Sequence, residues 1–142
     1  MEKIRPYAHK IHYYETDQMQ IVHHSNYIRW FEESRVDFLD QIGFGYDRME
    51  REGIISPVLH VNCDFKSMTR FGETVYVLPK IERYSGVKLN LSYRVIDTVT
   101  GELRASGESR HCFLDAKGAP VSLKRAHPEI DQILTEAAGH PE

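Results

Sequence analysis

Tyr13-Tyr14-Glu15-Thr16-Asp17-Gln18-Met19-Gln20-Ile21-Val22-His23-His24-Ser25-Asn26-Tyr27 changes character midway. Aromatic residues at strand-like spacing give way to a segment without glycine or proline, and a helical period begins at its end. Asp17 stands seven residues before His24, and His24 stands where the helical period starts. A carboxylate aimed at a helix N-terminus can serve as base or nucleophile, because the unpaired backbone N–H groups there can receive an oxyanion. The same residues also suit an ordinary turn shaped by the aspartate. Met19, Ile21 and Val22 are apolar, so the loop is expected to pack inward.

Outward from this tract the periods are clear. Residues 7–14 read as a first strand. From Ser25, the residues Tyr27, Ile28, Phe31, Phe38, Leu39 and Ile42 recur at three- and four-residue intervals, while Glu32, Glu33, Asp37 and Asp40 gather elsewhere. This predicts a helix over about 25–42, with Ser25 or Asn26 as N-cap and Gly43 and Gly45 as stop signals. A helical turn is expected at 46–51. Beyond Gly53 the chemistry is that of strands: 58–65, 73–84, 88–98 and 102–115. In the third of these, Leu89, Leu91, Tyr93 and Val95 alternate with Lys88, Asn90, Ser92 and Arg94. Thr100-Gly101 and Lys117-Gly118 mark turns. A short closing helix is expected at about 127–137. No repeat or linker divides the chain, so residues 1–142 read as one α+β domain. In it a curved antiparallel sheet of about five strands, four of them a meander, wraps one long central helix. Its edge strands are natural sites of self-association.

Bulk properties narrow the function. The 142 residues are 41% hydrophobic and 27% charged, with a formal net charge of −3. That is enough chain for a core without disulfides or metal, and too little positive charge for a general attraction to nucleic acid or anionic membrane. Cys63 and Cys112 stand apart in no metal or redox spacing, as expected of reduced thiols. There is no apolar signal core at the start and no segment of membrane-spanning length, so a soluble cytoplasmic protein is expected. His23-His24 invites a metal reading, but the remaining histidines show no HxH, HExxH or Cys/His spacing, and no metal is expected. There is also no GxSxG elbow, P-loop or GxGxxG.

The tract resembles that of the hotdog-fold acyl-CoA thioesterases, in particular the 4-hydroxybenzoyl-CoA thioesterase group with its YbgC-like enzymes. Their pattern runs roughly Tyr-x-x-Thr-Asp-x-x-Gly-x-Val-x-His-x-x-Tyr, into a helix that continues Phe-Glu-x-x-Arg. Tyr13, Thr16, Asp17, Val22, His24 and Tyr27 match it, followed by Phe31-Glu32-Glu33-Ser34-Arg35. The resemblance implies a hotdog fold and hydrolysis of an acyl or aroyl thioester to free acid and coenzyme A. It implies no cofactor, since coenzyme A is part of the substrate. Asp17 would be the catalytic carboxylate, attacking the thioester or activating water. The His24 backbone N–H would polarise the carbonyl, while the His24 side chain, Tyr13 and Tyr27 shape the site beside Val22. Ser85, Gly86, Lys88 and Arg70 are the candidate coenzyme A contacts. A homodimer joined edge to edge, doubled to a homotetramer, is also implied. Gln20 departs from the pattern: the family has glycine there, where positive φ is easy. Glutamine narrows the loop's geometry and puts an amide beside the acyl group. Two other readings remain, a non-catalytic acyl-thioester-binding protein and a hotdog dehydratase, although the latter's His and Phe-Pro-Gly-His motif is missing.

Overall fold

The computed structural model describes residues 4–139. Strands β1 (Tyr7–Lys10), β2 (Val58–Phe65), β3 (Thr74–Tyr84), β4 (Lys88–Asp97) and β5 (Leu103–Cys112) form one antiparallel sheet in the order β1-β3-β4-β5-β2. Between β1 and β2 run a 3-10 turn (Tyr13–Glu15), α1 (Ser25–Gln41) and α2 (Tyr46–Arg51). After β5 come α3 (Leu123–Ala126) and α4 (Pro128–Ala138).

Helix α1 occupies the concave face because its apolar stripe has nowhere else to go. Tyr27, Trp30, Phe31, Phe38 and Leu39 are all buried, with Trp30 at 0% exposure. Phe31 stacks on Tyr93 of β4 at 4.5 Å between ring centroids. The ring also overlies Gly107 of β5, where an added Cβ would come within 2.2 Å of the Asn62 carbonyl and 2.7 Å of Phe31. Glycine at 107 is therefore what lets the helix lie so close to the sheet. Residues facing α1 from β4 are those of the alternating face, and Leu89, Leu91, Tyr93 and Val95 are all buried. Gly43, at φ 92°, ends the helical segment. At the far end α4 covers β3: Ile130 and Leu134 are buried, and the Tyr84 hydroxyl donates to Asp131 Oδ1 at 2.5 Å.

The long helix, the turn at 46–51, four of the strands and the closing helix lie within a few residues of expectation. Four details differ. The first strand is shorter than 7–14, since the chain leaves β3 after Lys10 and tightens into the 3-10 turn. The strands do not all form a meander. β3, β4 and β5 do, but β2 crosses to the far edge and pairs with β5. The helix N-cap is His24 rather than Ser25 or Asn26. Helix α3 had no signal in the sequence reading.

Candidate active site

The Tyr13–Tyr27 tract folds as a small hairpin set against the start of α1. Glu15 accepts from the His23 N–H through its carbonyl (2.8 Å), Thr16 bridges Val22, and the Asp17 N–H donates to the Ile21 carbonyl (2.9 Å). The turn closes with the Gln20 N–H on the Asp17 carbonyl at 2.9 Å. Gln20 takes φ 65° and is the one non-glycine residue with positive φ among those described. The backbone conformation is therefore the one that favours glycine, held here by a residue with a side chain.

Asp17 is half-buried. Its Oδ1 accepts from the Met19 N–H at 2.8 Å, an Asx-turn contact, and its Oδ2 has no partner among the described residues. The turn reading and the chemical reading thus describe the same side chain. Asp17 lines an open groove with Tyr13, Gln20, Arg70 and Phe71. Tyr13 is 77% exposed and meets the Phe71 ring edge-on at 5.7 Å. Arg70 reaches this groove because the β2–β3 connection is tied under the hairpin: Ile21 bridges Arg70, and the Val22 N–H donates to the Thr69 carbonyl at 2.8 Å. Thr16 of the family pattern, with Tyr14 and Gln18, which no motif marks, completes the lining.

His24 stands at the end of the hairpin's return arm, on the opposite arm from Asp17. Its ring is exposed and stacks on His23 at 4.2 Å, and its backbone N–H has no partner among the described residues. Next along, the Ser25 N–H is capped by His23 Nδ1 at 3.2 Å. Helix α1 therefore presents an unspent donor at its head, where about half a unit of positive charge is concentrated.

Not every expected residue reaches the groove. Tyr27 and Val22 are buried in the core behind the hairpin, and the Tyr27 hydroxyl donates to Thr69 Oγ1 at 3.0 Å. Met19 is 72% exposed, so the loop tip does not pack inward within one chain; of its apolar residues only Val22 is buried. Ser85, Gly86 and Lys88 form the β3–β4 turn, and the Gly86 carbonyl receives the Leu123 N–H. Lys10 pairs with Thr74 at the opposite end of β3. At roughly 3.3 Å per residue, the two ends of that strand are about 30 Å apart. One chain does not bring this turn to Asp17.

Glu15, which no spacing or period in the sequence marks, is the most connected residue of the tract. It is 5% exposed, and its carboxylate accepts from His9 Nε2 (2.9 and 3.1 Å), the His12 N–H (2.8 Å) and Trp30 Nε1 (2.8 Å). Burial opposes its ionised form, but the His12 N–H, His9 and Trp30 together outweigh that and hold the carboxyl below its ordinary range. The available signal was Trp30 itself, since a buried indole N–H needs an acceptor. His9, His12 and Glu15 also bring metal-ligating atoms within 4.8 Å of one another. Both Glu15 oxygens are already taken by buried donors, so an ion would have to displace bonds that account for the cluster as it stands. Burial, with Asp64 nearby, pushes the Cys63 thiol up to about 11, which leaves it a poor nucleophile.

Comparison with known proteins points one way. Residues 11–136 match the model of the thioesterase-like superfamily. YneP of Bacillus subtilis, a candidate acyl-CoA thioesterase, is 36% identical over 84% of this chain and 87% of its own length. The crystal structure of a DHNA-CoA thioesterase from Staphylococcus aureus superposes with a TM-score of 0.87 at 30% identity, covering 94% of this chain and 89% of that one. A Thermus thermophilus protein described as hypothetical gives 0.82 at 35% identity, over 92% and 97%.

Proposed function

The chain belongs to the thioesterase-like superfamily and is a thioester hydrolase, and from that membership we propose that it cleaves acyl-CoA esters with Asp17 as the reacting carboxylate. The observation that carries this reading is the Asp17 side chain: held by the Met19 N–H through one oxygen, it has its other oxygen unspent at the groove. The thioester carbonyl oxygen points to the His24 N–H at the head of α1. There the developing negative charge meets a donor that need not reorganise. In one route Asp17 then attacks the carbonyl carbon, coenzyme A departs as the thiolate, and water afterwards hydrolyses the mixed anhydride to free acid and carboxylate. In the other it draws a proton from a water that attacks, giving the free acid directly as the thiolate leaves and takes up that proton. Tyr13 and Gln20 flank the acyl group. Val22 and Tyr27 support the hairpin from behind.

The groove favours an aromatic acyl group, because Tyr13, Tyr14 and Phe71 supply three ring surfaces beside Asp17. The DHNA-CoA thioesterase from Staphylococcus aureus, named for an aroyl ester, supports this choice. The active unit is a dimer in which the edge strand β2 pairs with its counterpart. Val58, Leu59 and Phe65 on that strand are each about half exposed in a single chain, at 49%, 53% and 51%. In such an assembly Ser85, Gly86 and Lys88 contact coenzyme A only from a neighbouring subunit, whereas Arg70 contacts it from the same one. A dimer of dimers in the cytoplasm completes the reading. No described helix is long and apolar enough to cross a membrane.

The test is thiol release from a panel of acyl-CoA and aroyl-CoA esters by the wild-type protein and by Asp17→Asn. Turnover should fall at least a hundredfold in the variant while circular dichroism stays the same. An asparagine variant that cleaves esters at near wild-type rate would remove Asp17 from the mechanism.

A further inference from the structure

Building on the thioesterase reading, we infer that Glu15 is a positioning residue that sets Asp17 and His24 in register by clamping β1, the hairpin and α1 to one buried carboxylate. Three elements converge on it. His9 comes from β1, the His12 N–H opens the 3-10 turn, and Trp30 comes from the second turn of α1. The backbone of the same residue does the complementary work. Its carbonyl accepts from the His23 N–H at 2.8 Å and from Asn26 Nδ2 at 2.9 Å. Asp17 follows Glu15 by two residues and His24 follows His23 by one. Both members of the reacting pair are thus one or two residues from a bond to Glu15. Asp17 lies in a half-exposed loop and His24 at an exposed helix head, so neither is fixed by burial of its own side chain.

The donor arrangement makes the carboxylate hard to replace. The His12 N–H binds Oε1, the Trp30 N–H binds Oε2, and His9 Nε2 lies within reach of both. Glutamine has the same shape but only one acceptor oxygen. Its NH2 group would face either the His12 N–H or the Trp30 N–H, donor against donor, in a site with almost no access to water. One arm of the clamp opens whichever way the amide turns.

Trp30 is the single tryptophan of the chain, so its emission reports the Glu15 bond directly. The experiment compares wild type, Glu15→Gln and Trp30→Phe, using benzoyl-CoA and octanoyl-CoA as probes, and includes amide hydrogen exchange over residues 16–24. In Glu15→Gln we expect a shifted Trp30 emission, faster exchange at the Asp17 and His23 amides, and kcat lower by at least about tenfold with KM within about twofold. A folded Glu15→Gln protein whose kcat is within twofold of wild type, or whose loss lies in KM alone, overturns the inference. If Glu15→Gln does not fold, Trp30→Phe removes a single donor and leaves the other two. A severalfold fall in kcat there supports the clamp, and an unchanged kcat overturns it. Should wild type cleave no ester at all, the thioesterase reading fails instead. The exchange measurement still decides whether Glu15 holds the loop.

Discussion

Lowering the pH should unfasten this fold through one buried histidine, His111, before the carboxylates contribute. His111 is 2% exposed, on β5 beneath α1. Arg35 of α1 donates to the Tyr93 hydroxyl (3.1 Å), Tyr93 meets Ser109 Oγ (2.6 Å), and Ser109 meets His111 Nε2 (2.7 Å). The other ring nitrogen faces the Pro57 carbonyl. Arginine can only donate and a carbonyl can only accept, and a neutral imidazole lets every group between them be paired. Tyr93 then donates to Ser109, Ser109 donates to Nε2, and the other ring N–H donates to Pro57. Burial and the Arg35 charge push the His111 pKa down to about 4 from 6.5, against a smaller opposing effect of the Pro57 carbonyl. The folded-state pKa is depressed, so this stability is fully present above pH 6.5. It drains away as pH falls towards 4, because the unfolded chain binds a proton that the folded chain refuses. Linkage puts the loss at about 2 kcal/mol by pH 5 and about 3 kcal/mol by pH 4, against a total of typically about 5–15 kcal/mol. Urea unfolding at one protein concentration, from pH 7 to pH 5, should show wild type losing about 2 kcal/mol more than His111→Gln over the interval. In NMR of the folded protein, the His111 ring should not titrate above pH 5. Parallel pH slopes for the two proteins, or a His111 titration near 6.5, would refute the neutral imidazole.

Gly107→Ala should cost at least about 3 kcal/mol in thermal or urea unfolding, because the new methyl meets backbone at 2.2 Å as well as the Phe31 ring; a cost below 1 kcal/mol would mean α1 can lift off the sheet freely. Gln20→Gly should leave stability within about 0.5 kcal/mol, as relief of φ 65° offsets the added freedom of the unfolded chain, while shifting the ratio of benzoyl-CoA to octanoyl-CoA turnover. An unchanged ratio would take the Gln20 amide out of substrate recognition. His24→Ala should reduce turnover less than Asp17→Asn does; an equal or larger loss would make the imidazole, not the backbone N–H, the electrophile. Sedimentation of the wild-type protein at micromolar concentration should give a dimer or larger, and a monomer there would remove the β2 pairing.

What was legible in the sequence followed from local periodicity. The α1 stripe and the alternation in β4 are both patterns of burial within one element, and both faces are where the periods put them. Sheet order was not legible in the same way. A strand's own residues set which face is buried, but not which neighbour it pairs with. β2 sits beside β5 because α1 and α2 carry the chain across the sheet. The site divides along the same line. Asp17 and His24 stood out by their spacing, whereas Glu15 draws its donors from six residues upstream and fifteen downstream. The side chain of Glu15 looks, in sequence, like any loop glutamate. The length of β3 keeps the β3–β4 turn away from Asp17 of the same chain, so the proposed coenzyme A contact there belongs to a neighbouring subunit's site.

Gln20 links the fold and the chemistry. A side chain at φ 65° costs on the order of 1 kcal/mol, and the hairpin holds it there through bonds that do not involve that side chain. The Asp17 N–H is on Ile21, the Gln20 N–H is on the Asp17 carbonyl, and the Met19 N–H is on the Asp17 carboxylate. Glycine would satisfy every one of these bonds with less strain. The backbone therefore does not need glutamine, and what glutamine adds is an amide lining the groove one residue from Ile21, which bridges Arg70. On the proposed function, the Gln20 side chain would meet the acyl end of the substrate. If Gln20→Gly leaves both stability and selectivity where they were, the amide faces solvent in the working enzyme and specificity rests with Tyr13, Tyr14 and Phe71.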